Sequence, residues 1–247
     1  MEKARRIAVY GGSFDPVHRG HLTVARELCR LFRLDEFRFL PAHVAPHKRD
    51  ARVTPALHRY AMLALATQDE ARWLVSTLEL DAPERPYTIE TLSALGAELN
   101  AGATPARLFF VMGADSWLEI TTWREWKRVL SASDHIVVTR PGSELHTNHV
   151  TPPIRERIVD LRGANPEQLA RAVEEGAGDD DGKQIYFTDA VLLDISSTNV
   201  RRAVRHGQMA ELKAALPGSV AGYIEKYGLY QDGKETRVTH VERNSEH

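Results

Sequence analysis

Three stretches of this sequence carry residue types, at spacings, that suit the binding and transfer of phosphate. The first is Gly11-Gly12-Ser13-Phe14-Asp15-Pro16-Val17-His18-Arg19-Gly20-His21. Adjacent glycines permit a turn with positive φ and a close approach by a nucleotide, and a helix beginning near Gly20 aims N–H groups and a partial positive charge at an anion. His18 and His21, three apart, share one side of a first helical turn and can donate to the same phosphates without acting as nucleophiles. The second stretch, Gly113-Ala114-Asp115, ends an apolar run. Its carboxylate suits ribose hydroxyls at the carboxyl end of a central strand, and equally suits a helix N-cap. The third is Asp194-Ile195-Ser196-Ser197-Thr198-Asn199-Val200-Arg201. Capping alone explains the hydroxyls, but Arg201 adds a guanidinium to the same helix end, which is what a triphosphate requires.

The elements that must hold these stretches read as alternating strands and helices. Ile7 to Tyr10 is a continuous apolar run that fits a strand buried on both faces, and Leu22, Ala25, Leu28, Cys29, Leu31 and Phe32 recur at helical spacing before a second strand, Phe37 to Leu40. Such a βαβ opening crosses over right-handedly and puts the glycine loop at the carboxyl end of the first strand. The loop Pro41 to Arg49, leaving the neighbouring strand at the same end, brings Lys48 within reach of a phosphate. Thr54-Pro55 starts a helix with Leu57, Met62, Leu63, Leu65 and Ala66 on its apolar face and Arg59 on its ordinary surface. Strands are predicted at Trp73–Ser76, Leu108–Met112, His135–Thr139 and Ile185–Phe187, and helices after Tyr87-Thr88 and from Pro217 to Tyr227. Between residues 143 and 183, Pro152-Pro153, Asn165-Pro166 and a glycine- and aspartate-rich run break the pattern into an irregular helical excursion. The expected fold is α/β, a Rossmann-like, doubly wound, mostly parallel sheet flanked by helices. One domain is expected over residues 1–230, with a flexible polar tail over 231–247.

Composition narrows the function classes. The chain has 247 residues, 43% hydrophobic and 27% charged, enough for a sizeable core. A net charge of -2 and a pI near 6.6 supply no basic field for nucleic acid or an anionic membrane, so any anion site is local. The single cysteine, Cys29, is expected to be a buried thiol in a reducing cytoplasm. The apolar run behind Lys3, Arg5 and Arg6 is shorter than a secretory or membrane segment, so neither membrane insertion nor secretion is indicated, and a homo-oligomer is compatible with the sequence.

Gly11 to His21 resembles the G-G-x-F-D-P-x-H-x-G-H signature of the bacterial nicotinate-nucleotide adenylyltransferases, a branch of the nucleotidylyltransferase superfamily. Ile195 to Arg201 resembles their I-S-S-T-x-x-R motif. Pro46-His47-Lys48 is similar to the end of their P-x-x-x-P-P-H-K segment, with Ala45 in place of the first paired proline, and Arg140-Pro141-Gly142 follows its strand as in the family. The resemblance implies transfer of AMP from ATP to nicotinate mononucleotide in NAD biosynthesis, by direct in-line attack. It implies His18 and His21 at the α- and β-phosphates and Ser197, Thr198 and Arg201 at the β- and γ-phosphates. Gly11, Gly12, Ser13, Phe14, Gly20, Gly113, Asp115, Ile195 and Ser196 would complete the ATP site, with Asp115 on the ribose. Lys48 and His47 would face the mononucleotide, Tyr87 and Thr88 its pyridine ring, Trp123 would stack on that ring, and Arg140 would join the same side. Mg²⁺ would be bound mainly through the ATP phosphates, with no protein ligand. A non-catalytic Rossmann module would need Gly-x-Gly-x-x-Gly, and an aminoacyl-tRNA synthetase core a K-M-S-K-S loop, and the sequence carries neither. A sibling transferase taking phosphopantetheine or nicotinamide mononucleotide as acceptor, or CTP as donor, is the serious alternative.

Overall fold

The computed structural model describes residues 4–43, 53–82, 84–102, 104–139, 145–176, 182–189 and 195–231. Ile7, Ala8 and Val9 lose all solvent exposure in β1 (Arg5–Gly12), as a strand covered on both faces must. The chain then turns through the glycine loop into α1 (Arg19–Leu31) and returns as β2 (Glu36–Pro41), parallel to β1, with Gly11 paired to Leu40 and Gly12 to Pro41. There follow α2 (Ala56–Thr67), β3 (Trp73–Val75), α3 (Thr88–Asn100), β4 (Ala106–Gly113), α4 (Ala114–Leu118), a 3-10 turn (Ile120–Thr122), α5 (Trp126–Ala132) and β5 (Asp134–Val138). Next come α6 (Pro152–Arg155), β6 (Ile158–Asp160), α7 (Pro166–Glu175), β7 (Ile185–Thr188), α8 (Ser197–Arg205), α9 (Met209–Ala215) and α10 (Gly218–Tyr227).

The seven strands form one sheet in the order β3-β2-β1-β4-β5-β7-β6, and every described pairing is parallel, where a mostly parallel sheet was expected. Each face has its own core. Along β4, Phe109 and Val111 pack with α1, α2 and α7 to α10, whereas Leu108, Phe110 and Met112 pack with α3 to α6, the period-two alternation of a pleated strand. The 143–183 excursion is corrected in one respect, since it contains the edge strand β6, paired Val159 to Tyr186. Three residues are too few to show a period in sequence. Arg107 holds the end of α7 to the sheet, donating to Val173 O (2.7 Å), Gly176 O (2.9 Å) and the Tyr186 hydroxyl (2.9 Å) while pairing with Asp134 (2.7 Å). Cys29 is buried, as expected, and no helix among the described residues is long and apolar enough to cross a membrane.

Inside this sheet His135 has no exposed surface. Its Nδ1 donates to Ser133 O at 3.0 Å, its Nε2 has no partner among the described residues, and burial drives its pKa from 6.5 down to about 3. The unfolded chain therefore binds a proton that the folded chain refuses, so stability contributed by neutral His135 is lost as pH falls from 6.5 toward 3. His135→Leu is expected to flatten the acid side of a urea-midpoint series by up to about 1.4 kcal/mol per pH unit. Parallel loss of stability in both chains would contradict a neutral, buried imidazole.

Candidate active site

The glycine loop leaves the carboxyl end of β1 beside the matching ends of β2 and β4, the place where open parallel sheets bind ligands. Gly11 and Gly12 do not turn with positive φ, contrary to the sequence reading, since both continue β1 in register with β2. Glycine leaves room there for two aromatic rings. A Cβ on Gly11 would lie 3.3 Å from Phe110 Cζ, and one on Gly12 would lie 3.0 Å from Phe14 Cζ. The left-handed residue is Phe14, at φ 45°. That conformation costs on the order of 1 to 2 kcal/mol. Burial of the ring offsets it, edge-on to Tyr10, His21 and Phe39 at centroid distances of 5.5, 5.0 and 5.7 Å.

His18 is the N-cap of α1 and His21 lies one turn on, so their rings stack at 3.7 Å with 24° between planes. The His18 backbone N–H donates to His21 Nδ1 at 3.2 Å, which leaves Nε2 as the proton-bearing nitrogen of neutral His21. Gly20 lets His18 lie against the helix start, because a Cβ there would come within 3.0 Å of the imidazole and 3.5 Å of Ile195 Cβ. That last contact joins two signatures far apart in sequence. Ser196 caps α8 by accepting from Asn199 N (3.2 Å), and the Ser197 hydroxyl donates to Pro16 O (3.0 Å). Arg201 donates to Asp15 O at 2.6 Å and to the Thr198 hydroxyl at 3.3 Å. Two helix N-termini, two imidazoles and a guanidinium therefore surround the same short loop, an arrangement suited to a polyphosphate.

Spacing alone did not reveal the groups behind this loop. The buried Asp15 carboxylate accepts from the Tyr230 hydroxyl at 2.7 Å and from Thr54 N at 3.3 Å, tying the chain's last described turn to the site. Burial, followed by the Asp15 charge, raises the Tyr230 pKa and keeps that hydroxyl a donor. Arg59 is no ordinary surface residue, being only 1% exposed. Its guanidinium donates to Ser13 O (2.8 Å), Thr54 O (2.9 Å), Ala42 O (2.7 Å) and His43 O (3.1 Å). The available signal was helical spacing: Arg59 precedes the fully buried Met62 and Leu63 by three and four residues and so shares their face.

On the other side of the loop, Gly113 is the N-cap of α4 with open space above it, and Asp115 is exposed in the first turn. Asp115 is therefore not the cap, and its carboxylate stands at the carboxyl end of a central strand. Tyr87 caps α3 through its backbone, its N–H bound by Glu90 Oε2 at 2.8 Å, and Thr88 is the first helical residue. Trp123 meets Phe110 edge-on at 6.5 Å, its buried Nε1 has no partner among the described residues, and its neighbour Arg124 lies 4.5 Å over the Tyr87 ring. These contacts bring Tyr87, Thr88 and Trp123 to one side, with Phe110 between Trp123 and Gly11. His47, Lys48 and Arg140 lie outside the described residues.

The model of the cytidylyltransferase-like family matches residues 9–203. The chain is 37% identical over 228 residues to the "Probable nicotinate-nucleotide adenylyltransferase" of Desulfatibacillum aliphaticivorans, covering 91% of this chain and 99% of that protein. It is 35% identical to the protein of the same name from Thermoanaerobacter sp. strain X514, over 96% of this chain and 100% of the relative. In fold it is similar to the Plasmodium falciparum nicotinic acid mononucleotide adenylyltransferase solved with NaAD, at a TM-score of 0.65 and 19% identity over 92% of this chain and 97% of that one.

Proposed function

The chain belongs to the cytidylyltransferase-like family and, within it, to the nicotinate-nucleotide adenylyltransferases, and on that premise we propose that it transfers AMP from ATP to nicotinate mononucleotide. The products are nicotinate adenine dinucleotide and pyrophosphate, a step of NAD biosynthesis. The meeting of the two signatures carries this reading: Ser197 and Arg201 of α8 bond Pro16 O and Asp15 O, beside the stacked His18 and His21.

An oxygen of the mononucleotide phosphate attacks the α-phosphorus of ATP as the bond from that phosphorus to the bridging oxygen breaks, and pyrophosphate leaves. The nucleophile is already anionic, so no general base is needed, and catalysis is positioning and charge stabilisation. We assign His18 and His21 to the α- and β-phosphates and Ser197, Thr198 and Arg201 to the departing pyrophosphate. Asp115 takes the adenylate ribose, supported by its exposure and freedom from a capping role. Thr88 and Trp123 take the pyridine ring, and Lys48, His47 and Arg140 the rest of the mononucleotide. Asp15, the one carboxylate of the glycine loop, is engaged by Tyr230 and Thr54, and the Ser197 hydroxyl and the Arg59 and Arg201 guanidiniums that bond the loop are donors. This donor set fits ATP entering as its magnesium complex, the ion held by phosphate oxygens and water. When bound, the ion would supply neutralisation of charge on the β- and γ-phosphates.

A single displacement inverts configuration at the α-phosphorus. With one diastereomer of adenosine 5′-(1-thiotriphosphate) as donor, the dinucleotide is expected with the inverted centre, whereas retention would require a covalent adenylyl-enzyme and would overturn direct attack.

A further inference from the structure

We propose that Arg59 is a positioning residue for adenylyl transfer, its buried guanidinium setting the spacing between the loop that holds ATP and the strand exit and helix that hold the acceptor. The inference rests on the adenylyl-transfer reading and concerns a residue that touches neither substrate. Among the described residues, every side-chain hydrogen bond of Arg59 goes to a backbone carbonyl, on separate segments: Ser13 in the glycine loop, Ala42 and His43 just past β2, and Thr54 ahead of α2. Residues 42–43 and 54 flank the segment that carries His47 and Lys48, so one planar group fixes both of its ends against the glycine loop.

The β2 exit is held from its other side as well. The half-buried Glu79 carboxylate accepts from the Thr91 hydroxyl at 3.0 Å and faces the His43 backbone N–H. Thr91 belongs to α3, the helix whose first turn carries Thr88. Arg59, residues 42–43, Glu79 and α3 therefore form a continuous polar chain from the ATP side to the acceptor side.

A buried cation is a poor device for stability, because its desolvation cost rivals what its bonds return. It is a good device for geometry. The guanidinium presents donors in a rigid fork that spans several carbonyls, which a lysine ammonium, a single point, does not reproduce. In-line attack is sensitive to misplacement of about 1 Å, worth ~10²-fold in rate.

The test is steady-state kinetics on the full chain and on Arg59→Lys, with ATP and nicotinate mononucleotide varied in turn, beside melting curves. The expected result is a kcat lower by ~10- to 100-fold with both KM values moved less than about threefold, in a chain that melts cooperatively near the unmodified temperature. A folded Arg59→Lys with kcat within about threefold of the unmodified chain, or a loss of kcat that only tracks the unfolded fraction, overturns the proposal. If Arg59→Lys does not fold, Glu79→Ala removes the carboxylate that accepts from Thr91 and faces the β2 exit, and decides instead. A ~tenfold fall in kcat at unchanged KM supports the proposal, and an unchanged kcat overturns it. The unmodified chain separates the two readings: if it makes no dinucleotide, both fall, and if it does, the variants bear on Arg59 alone.

Discussion

Replacing His18 or His21 with alanine is expected to lower kcat for dinucleotide formation by ~10²-fold or more while the fold survives. On the proposed assignment each imidazole donates to charge that builds on the transferring and leaving phosphates, and no acid-base or covalent route replaces a lost donor when the nucleophile is itself an anion. His21 is the cleaner of the pair. It is half-buried, and its Nδ1 is occupied by the His18 backbone N–H, so the ring's contribution to a ligand runs through Nε2. His18 is 4% exposed and stacks on His21, so its removal also takes away one of the rings packed on His21. Near-ultraviolet spectra and melting curves separate that effect from lost catalysis. A kcat within a few-fold of the unmodified chain in both variants would remove the histidines from the chemistry.

The second large effect concerns the acceptor, where nicotinate mononucleotide is expected to be preferred over its amide by about tenfold to a hundredfold in kcat/KM. The two differ by O⁻ against NH₂. The first backbone N–H groups of α3, at Thr88 and Ile89, have no intrahelical acceptor and would satisfy a carboxylate, whereas an amide would set its own donor against them. Each mismatch of that kind costs about 1 to 3 kcal/mol. The structure adds a cation to this side, the Arg124 guanidinium 4.5 Å over the Tyr87 ring, which further favours an acid. Competition of the two mononucleotides at fixed ATP checks the preference, and repeating it with Thr88→Ala and Trp123→Ala locates it. Equal use of both by the unmodified chain would sink the specificity while leaving the transfer mechanism standing.

The sheet's framework was legible because continuous apolar runs such as Ile7 to Tyr10 and Leu108 to Met112 have few other uses, and because glycine and proline mark where they end. The meeting of the two helix starts was legible because histidine, serine and arginine sit at them in a fixed order, and Gly20 lies against Ile195. What stayed hidden depends on partners remote in sequence. Gly11 and Gly12 are small because Phe110 and Phe14 pack over them, which no local pattern reveals. Arg59 and Tyr230 act on a backbone carbonyl and a buried carboxylate 46 and 215 residues away, and type and spacing carry no trace of such acceptors. Strand β6 is held by its pairing with β7 rather than by its own three residues. The acceptor side was the least legible, since its assignments came through resemblance, and His47, Lys48 and Arg140 lie outside the described residues.

Adenylyl transfer itself is tested most directly by pyrophosphate release from the full chain with ATP or CTP, against a panel of nicotinate mononucleotide, nicotinamide mononucleotide and phosphopantetheine. The expected result is one pyrophosphate per nicotinate adenine dinucleotide, fastest with ATP and nicotinate mononucleotide and at background with CTP. Faster turnover with CTP or with phosphopantetheine, or no release with any pair, would contradict it.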